Sequence, residues 1–298
     1  MATESLPDGF DYQGDVYRPP AEADSIILQA TLGCSHNRCT FCGAYRRKRF
    51  ALKETSILER DLLFAERYCK RQERVFVLDG NALTMPMPRW IWLLESIRER
   101  LPWVKGSAAF GTGMDIAAKS DSDLEQLKAL GLDRLYVGVE SGHAAVLKQV
   151  EKGIDPEGLL LQCRRAREAG MELIVSVVLG VADDALSLES ARATGRLLSA
   201  INPEEVGVTM LVPQPRTLFA KNIADGTLQA PGRKRLLAEL RELFIHTELA
   251  GGLFNATHSS CYLSFKARLP EQRAEGLACI DGVLAGDIAP RQGQERRI

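Results

Sequence analysis

Residues 25–42 read Ser25-Ile-Ile-Leu-Gln-Ala-Thr31-Leu-Gly33-Cys34-Ser-His-Asn-Arg-Cys39-Thr-Phe-Cys42: an apolar run, a glycine, then three thiols. The run over 25–31 predicts a buried strand ending at Gly33, and residues 54–70 follow with apolar side chains at helical spacing (Ile57, Leu58, Leu62, Leu63, Ala65, Tyr68). The alternation continues. A strand over 74–78 is stopped by Asp79-Gly80-Asn81, and a helix over 89–100 is closed by Pro102. A third strand near 104–110 precedes a helix near 122–130 that stops at Gly131. A fourth, over 134–139, ends at Glu140-Ser141-Gly142 and is followed by helices near 144–150 and 156–168. The fifth covers 172–179 with a helix over 187–200. The sixth covers 206–212 and leads through a long loop to a helix near 233–249.

Six such units call for an α/β fold of parallel strands with right-handed crossovers. They suit a partial (β/α)6 TIM-like barrel; an open doubly wound sheet is the competing arrangement. Either way the chemistry belongs at the C-terminal ends of the strands, where the cysteine loop, Asp79, Glu140 and Pro213 fall. The expected organisation is an N-terminal arm at 1–22, the α/β core at 23–250, and a C-terminal extension at 251–298 over the barrel mouth.

The 298 residues carry 38 Lys and Arg against 39 Asp and Glu, a net charge of −1, so nothing favours nucleic acid as a partner. The first twenty residues show no basic stretch leading into an apolar run, and no apolar stretch is long enough for a membrane span. The expectation is a cytoplasmic protein whose seven cysteines are thiols or metal ligands rather than disulfides. Three thiolates on one nine-residue loop, Cys34, Cys39 and Cys42, can hold three corners of a [4Fe-4S] cube and leave one iron open. Zinc is the alternative, with His36 as an awkwardly placed fourth ligand.

Together with Leu78-Asp-Gly-Asn-Ala-Leu83, Tyr136-Val-Gly-Val-Glu-Ser-Gly142, Thr257-His-Ser-Ser-Cys-Tyr-Leu-Ser-Phe-Lys266 and Leu269-Pro270, the loop resembles the radical S-adenosylmethionine (SAM) superfamily. Within it, the resemblance is to a stand-alone subgroup often labelled coproporphyrinogen-oxidase-like. Phe41 fills the aromatic place before the last cysteine. The spacing Cys-x4-Cys-x2-Cys is one residue longer than the commonest Cys-x3-Cys-x2-Cys of the superfamily.

The resemblance implies an oxygen-sensitive enzyme that reductively cleaves SAM at the cluster to a 5′-deoxyadenosyl radical, which abstracts hydrogen from a small-molecule, lipid or peptide substrate. It implies an electron donor such as flavodoxin or ferredoxin. Cleavage of another S–C bond, methyl transfer, or a non-catalytic iron–sulfur or zinc sensor are the other readings. By the same resemblance Asp79, Gly80 and Asn81 meet the SAM amino group, and Glu140 meets the ribose hydroxyls or the methionyl amine. Arg164, in Arg164-Arg165-Ala-Arg167, pairs with the SAM carboxylate; Gly180 passes under adenine and Pro213 forms its wall. A plain turn, a helix-cap partner, solvated arginines and strand-end packing are the corresponding structural readings. Cys261, with His258, is a candidate hydrogen-atom donor or second-cluster ligand, against a buried inert thiol. Cys69, Cys163 and Cys279 read as packing, and Arg46-Arg47-Lys48-Arg49 as an exposed basic run or a landing place for an electron donor. Substrate and oligomeric state are left open.

Overall fold

The computed structural model describes residues 9–290; residues 1–8 of the expected arm and 291–298 of the expected extension lie outside them. The chain divides into two compact units, Met1–Asn37, Ala44–Tyr136 and Arg165–Glu172 in one, and Arg38–Gly43, Val137–Arg164 and Leu173–Ile298 in the other.

The first unit opens with β1 (Ile26–Gln29), then a short pair β2 (Thr31–Leu32) and β3 (Ala51–Leu52), and helix α1 (Thr55–Tyr68). β4 (Arg74–Leu78), α2 (Met87–Arg100), β5 (Gly106–Gly111), α3 (Gly113–Ala117), α4 (Asp121–Ala129) and β6 (Leu132–Glu140) follow. β1 runs parallel to β4 with Ile26 beside Val75 and Gln29 beside Leu78, and β4 is parallel to β5. All four β1 positions are buried, the continuous pattern of a parallel strand covered on both faces rather than a two-residue alternation. α1 buries Leu58, Leu62 and Ala65 and α2 buries Trp90, Leu93, Leu94 and Ile97, each a stripe at three- and four-residue spacing. α2 starts two residues before the sequence-based expectation because Pro88 is harmless in a helix's first turn. Thr112 with Asp115 and Ser120 with Asp123 form capping boxes that fix the starts of α3 and α4.

The arm is bonded to this unit. Tyr12 donates to Ile27 O at 3.0 Å, and the Gln13 amide N–H donates to Gln29 Oε1 at 2.8 Å. Glu22, wholly buried, accepts from Tyr136 at 2.7 Å and from Arg134 at 3.0 Å.

The second unit takes the end of β6 and continues with α5 (Ala144–Gln149), α6 (Pro156–Glu168), β7 (Glu172–Leu179), α7 (Ser187–Ile201), β8 (Glu205–Met210), α8 (Leu218–Ala224) and α9 (Arg233–Ile245). After these come β9 (Leu253–Asn255), β10 (Lys266–Arg268) and α10 (Arg273–Ala285). β7 is parallel to β8 and β8 to β9, while β10 closes antiparallel on β9. The long loop after β8 thus contains a helix, α8, started by Thr217, whose hydroxyl accepts from Ala220 N at 3.2 Å. The expected C-terminal extension supplies two strands and a helix. Phe244, Phe254 and Phe265 pack with ring centroids 4.9–5.9 Å apart, and exposed Lys266 and Arg268 give the edge strand the charge that discourages further pairing. The strand order is β1-β4-β5 in the first unit and β7-β8-β9-β10 in the second, parallel except for the last pair.

Candidate functional site

In the first unit the start of the cysteine loop lies across the turn that follows β4. Gly80 sits at φ +41°, and a Cβ there would stand 2.0 Å from Gly33 O and 2.7 Å from Cys34 Cα. No side chain fits that space, so the residue has to be glycine. Its neighbours hold the loop with their side chains. Asp79, with no exposure, accepts from Gly33 N at 3.3 Å and from Gln29 Nε2 at 3.3 Å, and it pairs with Lys48. Asn81 accepts from Ser35 N at 2.9 Å and donates to Ser35 Oγ at 2.8 Å and to both Asp115 oxygens at 2.9 Å. The Cys34 sulfur accepts from Asn37 N at 3.5 Å.

In the second unit, residues 38–43 are fastened at Thr40, whose N–H donates to Val150 O at 3.0 Å and whose carbonyl accepts from Phe219 N at 3.1 Å. Phe41 packs against the buried cluster of Val146, Val150, Val181 and Ala182. Glu140, the last residue of β6, has a left-handed backbone (φ +63°), a strained conformation of the kind that gathers at functional sites. Its carboxylate pairs with Lys152 at 2.8 Å, with 11% and 6% of the two side chains exposed. Gly138 leaves the room for that pair, since a Cβ there would lie 2.3 Å from Glu140 Oε1. Removing one partner of such a buried pair costs about 3–5 kcal/mol, because the other charge stays buried alone.

Gly180 follows β7 at φ +84°, and its N–H donates to Glu239 Oε2 at 2.9 Å. Glu239 is 3% exposed, its other oxygen has no partner, and burial pushes its carboxyl up to about 8. At the end of β8, Met210 N donates to Ser260 Oγ at 3.0 Å. His258 Nδ1 lies 2.8 Å from Ser260 Oγ and accepts from Ser260 N at 3.1 Å. With Nδ1 an acceptor, the neutral ring carries its proton on Nε2, an assignment from the hydrogen bonds, and burial lowers the pKa of the ring. Cys261 is wholly buried and its thiol donates to Val208 O at 3.3 Å. Arg164 is exposed on α6 and donates to Ala200 O at 3.4 Å; Arg165 is spent on Asp121 and on the carbonyls of Ile116 and Lys119. Pro213 is exposed. Cys163 is buried, which pushes its thiol up to about 12.

The sequence profile of the radical SAM superfamily matches residues 28–186, more than half of the chain. The chain belongs to the radical SAM superfamily. Biotin synthase of Frankia alni is 24% identical over 230 residues, 74% of this chain and 63% of that protein. Coproporphyrinogen III oxidase (HemN) from Escherichia coli superposes with a TM-score of 0.53 at 18% identity, over 74% of this chain and 50% of that one. Methylornithine synthase (PylB) gives 0.53 at 17% identity, over 75% and 63%. The structural likenesses show the fold, and the chain spans less than two thirds of the length of each of these proteins. As a superfamily member it is an enzyme of the radical SAM class, with SAM and a [4Fe-4S] cluster as its cofactors.

The donor set fits the cluster. Cys34, Cys39 and Cys42 are half-buried thiols outside any disulfide, the soft ligands iron–sulfur clusters take. Among the described residues no three His, Cys, Asp or Glu side chains gather as a ready ion site, so the fit rests on donor chemistry and on how the loop is held. Lys152, Ser35 and Asp115 escape sequence reasoning, and Lys48 was marked only as part of a basic run, not as the partner of buried Asp79. No spacing marks them, and each matters only through the partner the fold brings to it.

Proposed function

We propose that this chain cleaves SAM reductively at a [4Fe-4S] cluster held by Cys34, Cys39 and Cys42 and uses the product to take a hydrogen atom from an organic substrate. When bound, the cluster and SAM supply one-electron cleavage of an S–C bond, giving a 5′-deoxyadenosyl radical. This chain's residues supply placement. Asp79 and Asn81 spend their side chains on Gly33, Lys48 and Ser35, and their carbonyls accept from Thr31 Oγ1 and Thr84 N, so the Gly80 carbonyl is the group of this turn offered to the SAM amino group. Glu140, fixed by Lys152, accepts hydrogen bonds from the ribose hydroxyls or the methionyl amine. Gly180, whose N–H is already taken by Glu239, offers a flat surface to adenine, with Pro213 as its wall. Neutral His258 presents Nε2–H as a donor. Arg164 is assigned no part, because its guanidinium is turned to Ala200; Lys152 is the buried cation nearest the end of β6 that could serve the carboxylate instead.

The observation that carries this reading is the three-thiol loop, its start at Gly33 and Cys34 laid over Gly80, in a chain of this superfamily. An external one-electron donor of the flavodoxin or ferredoxin class completes the system. The substrate is an organic small molecule, lipid or peptide. Changing Cys34, Cys39 and Cys42 to Ala together should abolish iron binding and the brown thiolate-to-iron absorbance of anaerobically reconstituted protein. Iron and colour retained after all three changes would reject the ligand assignment.

A further inference from the structure

Asp79 touches both ends of the cysteine loop. Its Oδ2 accepts from Gly33 N, before the first cysteine, and pairs with Lys48 Nζ, six residues after the last. The two ends are also in backbone contact, since a Cβ on Gly33 would lie 2.5 Å from Lys48 O. Just beyond them β2 pairs with β3, Leu32 beside Ala51 and Thr31 beside Leu52, making a short neck. Lys48 also donates to Asp15 O at 2.9 Å, which adds the arm to the same junction. Asp79 has no exposure and the Lys48 side chain 17%, so the pair is largely shielded from solvent, where charge pairing is stronger than at a surface. Thr31 Oγ1 bonds the backbone of Asp79 on both sides, at 3.0 and 3.1 Å, which fixes the carboxylate's base.

We propose that Lys48 and Asp79 are positioning residues that close the cysteine loop into a ring before any iron arrives, and so set how firmly the loop keeps its cluster. The inference rests on the reading of Cys34, Cys39 and Cys42 as cluster ligands only for the second half of that sentence. The closed loop itself belongs to the apo-protein. Holding the ends of a loop together removes closure entropy that ligation would otherwise have to overcome, and partners just behind metal ligands are typically worth roughly 10–100-fold in metal affinity.

The test uses full-length protein carrying Lys48→Met, Lys48→Arg or Asp79→Ala. In the apo-protein, amide hydrogen exchange over residues 33–37 and 44–48 should speed up at least roughly 10-fold in Lys48→Met and Asp79→Ala relative to the wild type, with far-UV circular dichroism unchanged; Lys48→Arg should restore most of the protection. In reconstituted protein, iron should pass to a ferrous chelator roughly 10-fold faster in Lys48→Met than in the wild type, again rescued by Lys48→Arg. Wild-type exchange and wild-type iron release in Lys48→Met would overturn the proposal, and so would an arginine variant no better than the methionine one. If Asp79→Ala fails to fold, the more exposed Lys48 position decides. If the wild type takes up no cluster, the ligand assignment fails, and the exchange comparison still decides whether the clasp exists.

Discussion

Gly80 shows at the scale of a single residue how a loop is held in place. The atoms a Cβ would strike, Gly33 O and Cys34 Cα, are backbone and cannot swing aside. Gly80→Ala should therefore destabilise the apo-protein by about 1–3 kcal/mol, as backbone strain with no flexible partner does, measurable by urea denaturation. It should also slow cluster reconstitution. Wild-type stability in this variant would mean that the loop does not cross Gly80 as described. The sequence made the Asp79-Gly80-Asn81 turn visible as a stop after a strand and, by the resemblance, as a place that meets SAM. It did not reveal what approaches. Asp79 and Asn81 turn out to spend their side chains on Gly33, Lys48 and Ser35, partners 31 to 46 residues away, and long-range pairing of this kind has no periodic signature. The same limit applies to Lys152, which sits in a turn that periodicity treats as filler. The Arg164-Arg165 pair was marked by its charge and by the resemblance, and the fold uses both residues to tie helices and loops together.

Among the elements, the long strands and helices between residues 25 and 245 were legible to within a few residues, and 74–78, 156–168 and 172–179 coincide with β4, α6 and β7, while the short β2, β3, α3 and α8 were not read. Long, strongly periodic runs with glycine or proline stops carry that information. The extension was not legible as structure. β9 and β10 are three residues each, too short for a two-residue alternation to stand out, and they become strands because β8 offers an edge. α10 presents Gly276 to Phe244, where a Cβ would lie 2.4 Å from the ring, so close packing on α9 rather than an apolar stripe defines it. Phe254 joins these pieces, wholly buried against Phe244 and Phe265. Phe254→Ala should cost about 3–5 kcal/mol in denaturant unfolding. A loss below ~1 kcal/mol would show that the extension does not share the core of the sheet.

For the whole molecule, the buried acid Glu239 couples stability to pH. Its carboxyl is pushed up from 4.5 to about 8 by burial, so between those values the folded chain holds a proton that the unfolded chain has released. Its contribution is therefore complete below pH 4.5 and is lost as pH rises through about 8. Glu239→Gln keeps an oxygen for the Gly180 N–H and removes the titration. The melting temperature of the wild type should fall relative to that variant between pH 5 and pH 8.5 (roughly the window set by the shift); a gap that stays constant would contradict the burial of an unpaired carboxyl. The central claim is that the three-thiol loop of this superfamily chain turns SAM over by one-electron cleavage. Anaerobic incubation of reconstituted protein with SAM and dithionite, with the nucleoside identified by mass spectrometry, tests it most directly. 5′-Deoxyadenosine that disappears when Cys34, Cys39 and Cys42 are changed is the predicted result. Methylthioadenosine, S-adenosylhomocysteine, or no nucleoside product from cluster-loaded protein would contradict it.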